Sequence, residues 1–442
     1  MLSKYIAFPM KKCYPQADLT QCVKEIMGVL FKVAKEQNPK MEFFNRIDNI
    51  QAKLDTIPQI KEINDIINET QAIQDKKKSA DFDAKKVPPI SIIGAGPAGL
   101  FLGQFLQAKG IKYTIYEHRK KADACRRFNG VQFRNEHGYQ LLTAFEKLLP
   151  KVIIDKILGE AKPYGGDSDN PDLKKGKFYI CVGRLQEILS EGLSINYGRK
   201  APELDGVVFD CSGGSSKKGQ DIEGDIETKI HTHHSWYVKF DDKETEEDLT
   251  FNGHKHGFFS PSRLEWTKDS RKENPDYRCA ILFLDEIIKK RDEIIKKRKA
   301  DDEKTRDLKS LYEKIVKGEK ISITTAIGHD LRADDPSENR AKFINVHSYP
   351  LITTPGLSHP NHEQQFNLGD SLCRPHPYAA MGMVGVLKTV MAAADWVEGI
   401  GRGGNPDTNS KALNLSLLRI GLSQLATLYV TKDEVSKRTM KT

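Results

Sequence analysis

An α/β protein is the fold class this sequence predicts, with a parallel-sheet core domain, an inserted mixed-sheet domain and an N-terminal helical extension. Three observations carry that expectation. A strand, glycine turn, helix and strand follow one another from Ile90 onward. A second glycine-bearing segment, NLGDSLCRPHPYAAMGMVG at 367–385, precedes an apolar helix. Residues 1–86 place apolar side chains three and four apart, whereas 221–355 is polar and insertion-rich.

In the extension, Leu19–Lys35 (LTQCVKEIMGVLFKVAK) and Lys53–Ile73 have the helical period. A polar linker, IQDKKKSADFDAKKVPP, closes the region at Pro88-Pro89. Two readings stay open for residues 1–86: a helical cap packed on the rest of the chain, or a module for a protein partner.

The stretch PPISIIGAGPAGLFLGQFLQAKGIKYTIYEHR has each part of a dinucleotide site. Ile90–Ile93 is a short buried strand. Gly94, Gly96 and Gly99 give G-x-G-x-x-G, with Ala95, Pro97 and Ala98 between them. The first glycine permits the tight turn, the second admits a pyrophosphate to the backbone, and the third brings helix against strand. Helix N–H groups and the helix dipole then face the phosphates. Glu117, with His118 beside it, ends the second strand, where a carboxylate can accept both ribose hydroxyls and disfavours a 2′-phosphate. The domain is thus Rossmann-like. GIGRGG at 399–404 spells the same pattern but follows a helix, and is read as a turn.

With the second segment added, the chain resembles the FAD-dependent monooxygenase family of aromatic-hydroxylase type. Gly369, Asp370, Pro377 and Gly382 fall in register with that family's G-D-A-A-H-x-x-x-P-x-x-G-x-G-x-N segment. Cys373, Ala380 and Val384 depart from it. The resemblance implies that Asp370 binds the ribityl chain of FAD and that the helix starting at Gly382 and Met383 points at the flavin. It also implies that Arg126 or Arg127, in CRRFNGVQF, and Arg184, in VGRLQEIL, lie near the cofactor. VVFDCSGGSS resembles the strand into the family's D-G motif, with Ser212 at the aspartate position. His376 is the candidate catalytic side chain, and Arg374 and Tyr378 are candidates for the substrate side. The implied chemistry is hydroxylation of a small organic substrate, aromatic compounds among the candidates, with NAD(P)H and oxygen, through a flavin hydroperoxide. A flavin reductase or dehydrogenase of the same fold, and an FAD-binding interaction or effector protein, are the alternatives.

The domain boundaries that follow are 1–86 for the extension, 87–220 with 356–405 for the FAD-binding domain, 221–355 for the insert, and 406–442 for a C-terminal helix. Within the insert, DEIIKKR at 285–291 recurs at 292–298 and reads as one charged helix. The net charge of +8 comes from 69 basic and 61 acidic residues, a mixed surface without a nucleic-acid-binding stripe. Seven cysteines, with no C-x-x-C pair, suggest neither a zinc ribbon nor a disulfide framework, and fit a reducing, cytoplasmic setting. No run of 18 apolar residues argues for a membrane span. His231, His233, His234, His254 and His256 lack a familiar ligand spacing, so no metal is expected.

Overall fold

The computed structural model describes residues 17–38, 41–76, 81–121, 130–133, 141–163, 178–202, 206–213, 234–240, 250–251, 254–255, 257–260, 278–283, 349–352, 365–373 and 382–440. These divide into two compact units, one drawn from 1–230 and 355–431, the other from 231–354 and 432–442.

Helices α1 (Ala17–Glu36), α2 (Phe43–Leu54) and α3 (Pro58–Lys76) open the first unit. The expected helix over Lys53–Ile73 is instead divided between α2 and α3. Pro58 explains the division: lacking an N–H, it starts a helix well but disrupts one from inside. The strands and helices that follow are β1 (Ile90–Ile93), α4 (Pro97–Ala108), β2 (Tyr113–Glu117), β3 (Gly130–Phe133), α5 (Leu141–Leu148), α6 (Lys151–Glu160), β4 (Lys162–Pro163), β5 (Phe178–Cys181), α7 (Val182–Ser190), β6 (Ile195–Tyr197) and β7 (Val207–Asp210). After the second unit come β14 (Gln365–Asn367), a 3-10 turn (Gly369–Ser371), α8 (Gly382–Gly401) and α9 (Pro406–Met440).

The main sheet runs β14-β7-β1-β2-β6 and every pairing in it is parallel. Chain order therefore reverses between β1 and β7. At such a switch point the connections leave in opposite directions and open a crevice at the carboxyl ends of the strands. Helices α4 and α8 pack together beside this sheet. Leu100, Phe101, Leu102, Phe105 and Leu106 of α4 are all buried, as are Leu387, Val390, Ala393 and Val397 of α8. A smaller antiparallel sheet, β3-β5-β4, adds Phe133 and Phe178. Their rings stack at 5.0 Å and meet Phe145 of α5.

The extension packs on α9. Gln51 Nε2 donates to the Ser423 carbonyl at 2.7 Å, and Arg419 Nη2 donates to Asp55 Oδ1 at 2.6 Å. Phe31 and Tyr429 lie with ring centroids 5.3 Å apart. Helix α9 is apolar enough over Pro406–Thr431 to satisfy a membrane-span criterion by composition, but 83% of that window is buried within the protein. Gln424 of α9 fills the space beside Gly385 of α8, where an added Cβ would stand 1.4 Å from its Nε2. Gly385→Ala is therefore expected to separate α8 from α9 and cost about 2 kcal/mol, read as a lower denaturation midpoint. An unchanged midpoint would show that the buried Gln424 can turn aside freely.

The second unit contains β8 (His234–Phe240), β9 (Thr250–Phe251), β10 (His254–Lys255), β11 (Gly257–Ser260), β12 (Arg278–Phe283) and β13 (Tyr349–Ile352). Its four-stranded sheet runs β11-β12-β8-β13, and β9 pairs with β10. All these described pairings are antiparallel, where a mixed sheet was expected. A parallel pair needs a long crossover, usually helical, and consecutive strands such as β11 and β12 pair as direct neighbours instead. The DEIIKKR repeat lies outside the described residues.

Candidate functional site

The crevice is built first from the end of β1. Gly94 has φ +100°, a conformation that suits glycine, and its N–H donates to the Tyr116 carbonyl at 2.7 Å. A Cβ on Gly94 would stand 2.7 Å from the Cys211 carbonyl oxygen, on the opposite side of the switch point. A Cβ on Gly99 would stand 2.1 Å from the Gly94 carbonyl oxygen. These two positions leave no room for a side chain, because the turn closes tightly and α4 lies directly against it. Gly96 is the N-cap of α4 and supplies no side-chain cap, and Pro97 begins the helix. The helix N-terminus thus meets the crevice with backbone alone, as an anion site requires.

Glu117, at the end of β2, is almost fully buried. Its Oε2 accepts from Ala95 N–H at 2.9 Å and from Arg119 Nη2 at 2.8 Å. Its Oε1 accepts from Arg119 N–H and Nε, both at 2.9 Å, while His118 Nδ1 lies 3.2 Å away. Burial by itself would raise the carboxyl pKa. The Arg119 guanidinium and the N–H groups of Arg119 and Ala95 overcome it, lowering the pKa from 4.5 to about 2. Glu117 is therefore ionised and ties β2 to the glycine turn. A ribose hydroxyl arriving there must share these lone pairs or displace part of the guanidinium fork.

The second wall comes from 365–373. Gly369 has φ +58°, and its N–H donates to Thr389 Oγ1 of α8 at 3.0 Å. A Cβ added to Gly369 would lie 3.2 Å from the Ala98 Cβ and 3.1 Å from Val386 Cγ2. The second glycine segment therefore touches the start of α4 and the first turns of α8 at one point. Asp370 is exposed there, and a Cβ on Gly213 would lie 3.9 Å from its Cβ. Two glycine segments far apart in sequence are two walls of one crevice.

Sequence reasoning overlooked Asp210. Its buried carboxylate accepts from Ser212 N–H at 2.8 Å and from the Ser371 hydroxyl at 3.2 Å. Ser371 Oγ in turn accepts from Gly213 N–H at 2.8 Å, and Leu368 N–H donates to the Asp210 carbonyl at 2.9 Å. A carboxylate two residues before Ser212 thus pins the end of β7 to the Gly369–Ser371 turn. The signal was present in DCSGG, an acid at a strand end followed by small residues.

Gln186 is the second residue overlooked. Its Nε2 donates to the Ala95 carbonyl at 3.1 Å, and its buried Oε1 has no partner among the described residues. Arg184, two residues earlier, engages Glu160 and Glu187, at 2.6 Å from Nε and 3.0 Å from Nη1 respectively. The hydrogen bond to Glu160 raises its pKa further. Among the described residues, Gln186 rather than Arg184 touches the glycine turn.

Gly382 starts α8 and Met383 is buried at its first turn. Cys373 and Cys211 are buried, and desolvation, reinforced by Asp370 and Asp210 respectively, holds both thiols well above their usual range. They pack as small apolar groups. Arg126 and Arg127 lie outside the described residues, as do Arg374, His376, Pro377 and Tyr378. The same holds for His231, His233 and His256 and for the side chains of His234 and His254. Among the described residues no cluster of three or more His, Cys, Asp or Glu could hold a metal ion.

An FAD would fit this arrangement. Glycines occupy the places a Cβ would fill, an uncapped helix N-terminus opens the crevice, and Gln186 offers an unmatched buried acceptor beside the turn. Residues 87–134 match the family model for an FAD binding domain. A Dictyostelium discoideum protein described as a bifunctional amine oxidase is 30% identical over 92 residues, covering 21% of this chain and 8% of that protein. The chain therefore spans a small fraction of the curated relative it matches. A solved structure described as an FAD containing monooxygenase, from Photorhabdus luminescens subsp. laumondii TTO1, superposes with a TM-score of 0.50. It is 16% identical and the match covers 79% of this chain and 99% of that one, a likeness of fold. The Diels-Alderase PyrE3 of pyrroindomycin biosynthesis aligns at a TM-score of 0.49 with 11% identity, over 79% of this chain and 73% of that one.

Proposed function

We propose that the chain is a divergent flavoprotein of the aromatic-hydroxylase type and a monooxygenase of a small organic substrate, a reading supported by the match of residues 87–134 to the FAD binding domain model. The observation that supports this most is the meeting of Gly369 with Ala98 and Val386, which gives the crevice both walls. Bound FAD would supply the redox chemistry, taking hydride from NAD(P)H and activating oxygen. The chain's own residues position and shield it. Gly94, Gly96 and Gly99 admit the diphosphate to the start of α4. Asp370 would hold the ribityl chain, and Asp210 with Ser371 fixes the turn that carries it. The N-terminus of α8, at Gly382 and Met383, would favour negative charge on the flavin edge. His376 would bind an acidic substrate or move its proton.

The purified protein should be yellow, and NADH or NADPH oxidation should rise with a suitable substrate under air. Asp370→Ala should lose most of its FAD on gel filtration while His376→Ala retains it. Equal loss in both would contradict these roles. The Ser212 departure favours a second reading, an FAD-binding interaction protein. Tight FAD that neither nicotinamide reduces would support that reading over the first.

A further inference from the structure

A cavity of about 420 Å³ lies within the first unit, walled by α2, α3, α8 and α9. Its volume lies within the range of roughly 300–1,000 Å³ typical of small-molecule sites. We propose that this cavity is a second ligand site, distinct from the crevice, and that it takes a small organic carboxylate with an apolar body.

The lining argues for that chemistry. Met391 and Trp396 of α8 supply an apolar wall, and Lys388 and Arg419 supply cationic groups. Two carboxylates also line the space, but protein groups already engage both. Asp55 accepts from Arg419 Nη2 at 2.6 Å and from Asn64 Nδ2 at 3.3 Å, while Asp395 is paired with Lys147. A ligand cation would have to displace one of these partners. Arg419, in contrast, has five N–H donors and gives Asp55 one of its terminal nitrogens. About a third of its side chain is exposed, so it can take a second carboxylate without losing the first. A polar lining also distinguishes this space from a dry packing void.

Trp396 gives the site a route to the crevice. Its ring lies 6.0 Å from Phe209 and 6.0 Å from Phe366, centroid to centroid. Phe209 immediately precedes Asp210, and Phe366 immediately precedes Asn367 on β14. An occupant of the cavity would therefore touch the ring that packs against both strands.

Isothermal titration of the FAD-saturated full chain with hexanoate, hexanol and hexylamine tests the proposal. Hexanoate should bind with one-to-one stoichiometry, about tenfold or more tighter than either of the others. Ala392→Leu and Ser416→Leu, which fill the cavity from α8 and α9, should each weaken hexanoate by about tenfold without changing FAD content. Lys388→Gln should weaken hexanoate but not hexanol. The proposal is overturned if hexanol binds as well as hexanoate, if millimolar hexanoate gives no heat, or if both leucine variants bind it unchanged. Should a leucine variant fail to fold by circular dichroism, the wild-type ligand series and Lys388→Gln still decide the matter.

Discussion

Gly99→Ala is expected to lose FAD and to destabilise the first unit by about 3 kcal/mol. The cause is steric and lies in the backbone. The new methyl would stand 2.1 Å from the Gly94 carbonyl oxygen, a fixed part of the turn that ends β1. Either α4 moves away from β1 or the turn opens. Both movements disturb the buried run Leu100–Leu102 and the meeting of Ala98 with Gly369. Gly96→Ala supplies the contrasting case. Its Cβ would lie 3.6 Å from the Cys211 carbonyl oxygen, an ordinary contact, so the fold should persist. It would still intrude where a pyrophosphate approaches the backbone, and FAD should be lost. Urea unfolding and flavin absorbance of both variants separate the two effects. If Gly99→Ala unfolds at the wild-type midpoint, the close packing of α4 on the turn is not a constraint.

The contrast between these two glycines shows which parts of the site the sequence discloses. G-x-G-x-x-G between a strand and a helix is a local pattern, and each of its geometric demands falls within a few residues. β1, α4 and Glu117 are accordingly readable without a structure. Asp370 was accessible only by family resemblance, because nothing local says that a turn at 369–371 will meet Ala98. Asp210 and Gln186 were missed for the same physical reason. Their roles are contacts to Ser371 and Ala95, 161 and 91 residues away in sequence. The break before Pro58 was legible in principle, since proline starts helices more readily than it continues them, but the apolar period on both sides concealed it. The ion network that holds Arg184 depends on α6 packing against α7, and no spacing within VGRLQEIL specifies that neighbour.

Glu117→Gln should produce the second large effect, and its pH dependence should identify the cause. The folded-state pKa lies near 2, below the usual 4.5, so the native state favours the ionised carboxylate. That preference contributes stability which is fully present above pH 4.5 and disappears as pH falls through about 2. Its size is about 3 kcal/mol near neutrality, since lowering a carboxyl pKa tenfold in acidity constant stabilises the folded state by roughly 1.4 kcal/mol. Glutamine keeps the acceptor for Ala95 N–H but turns an NH₂ group toward Arg119, so it resembles the protonated acid. The wild type should therefore exceed Glu117→Gln by about 3 kcal/mol at pH 7 in urea unfolding, and the gap should close as the wild-type carboxyl protonates on acidification. A gap that stays constant from neutral pH down to the acid limit of folding would assign the loss to shape instead of charge. The same variant should also bind FAD more weakly, because the ionised carboxylate orders the Ala95 turn and is the group we propose to share its lone pairs with the ribose. A variant with full FAD affinity and a pH-independent stability loss would remove Glu117 from the site altogether.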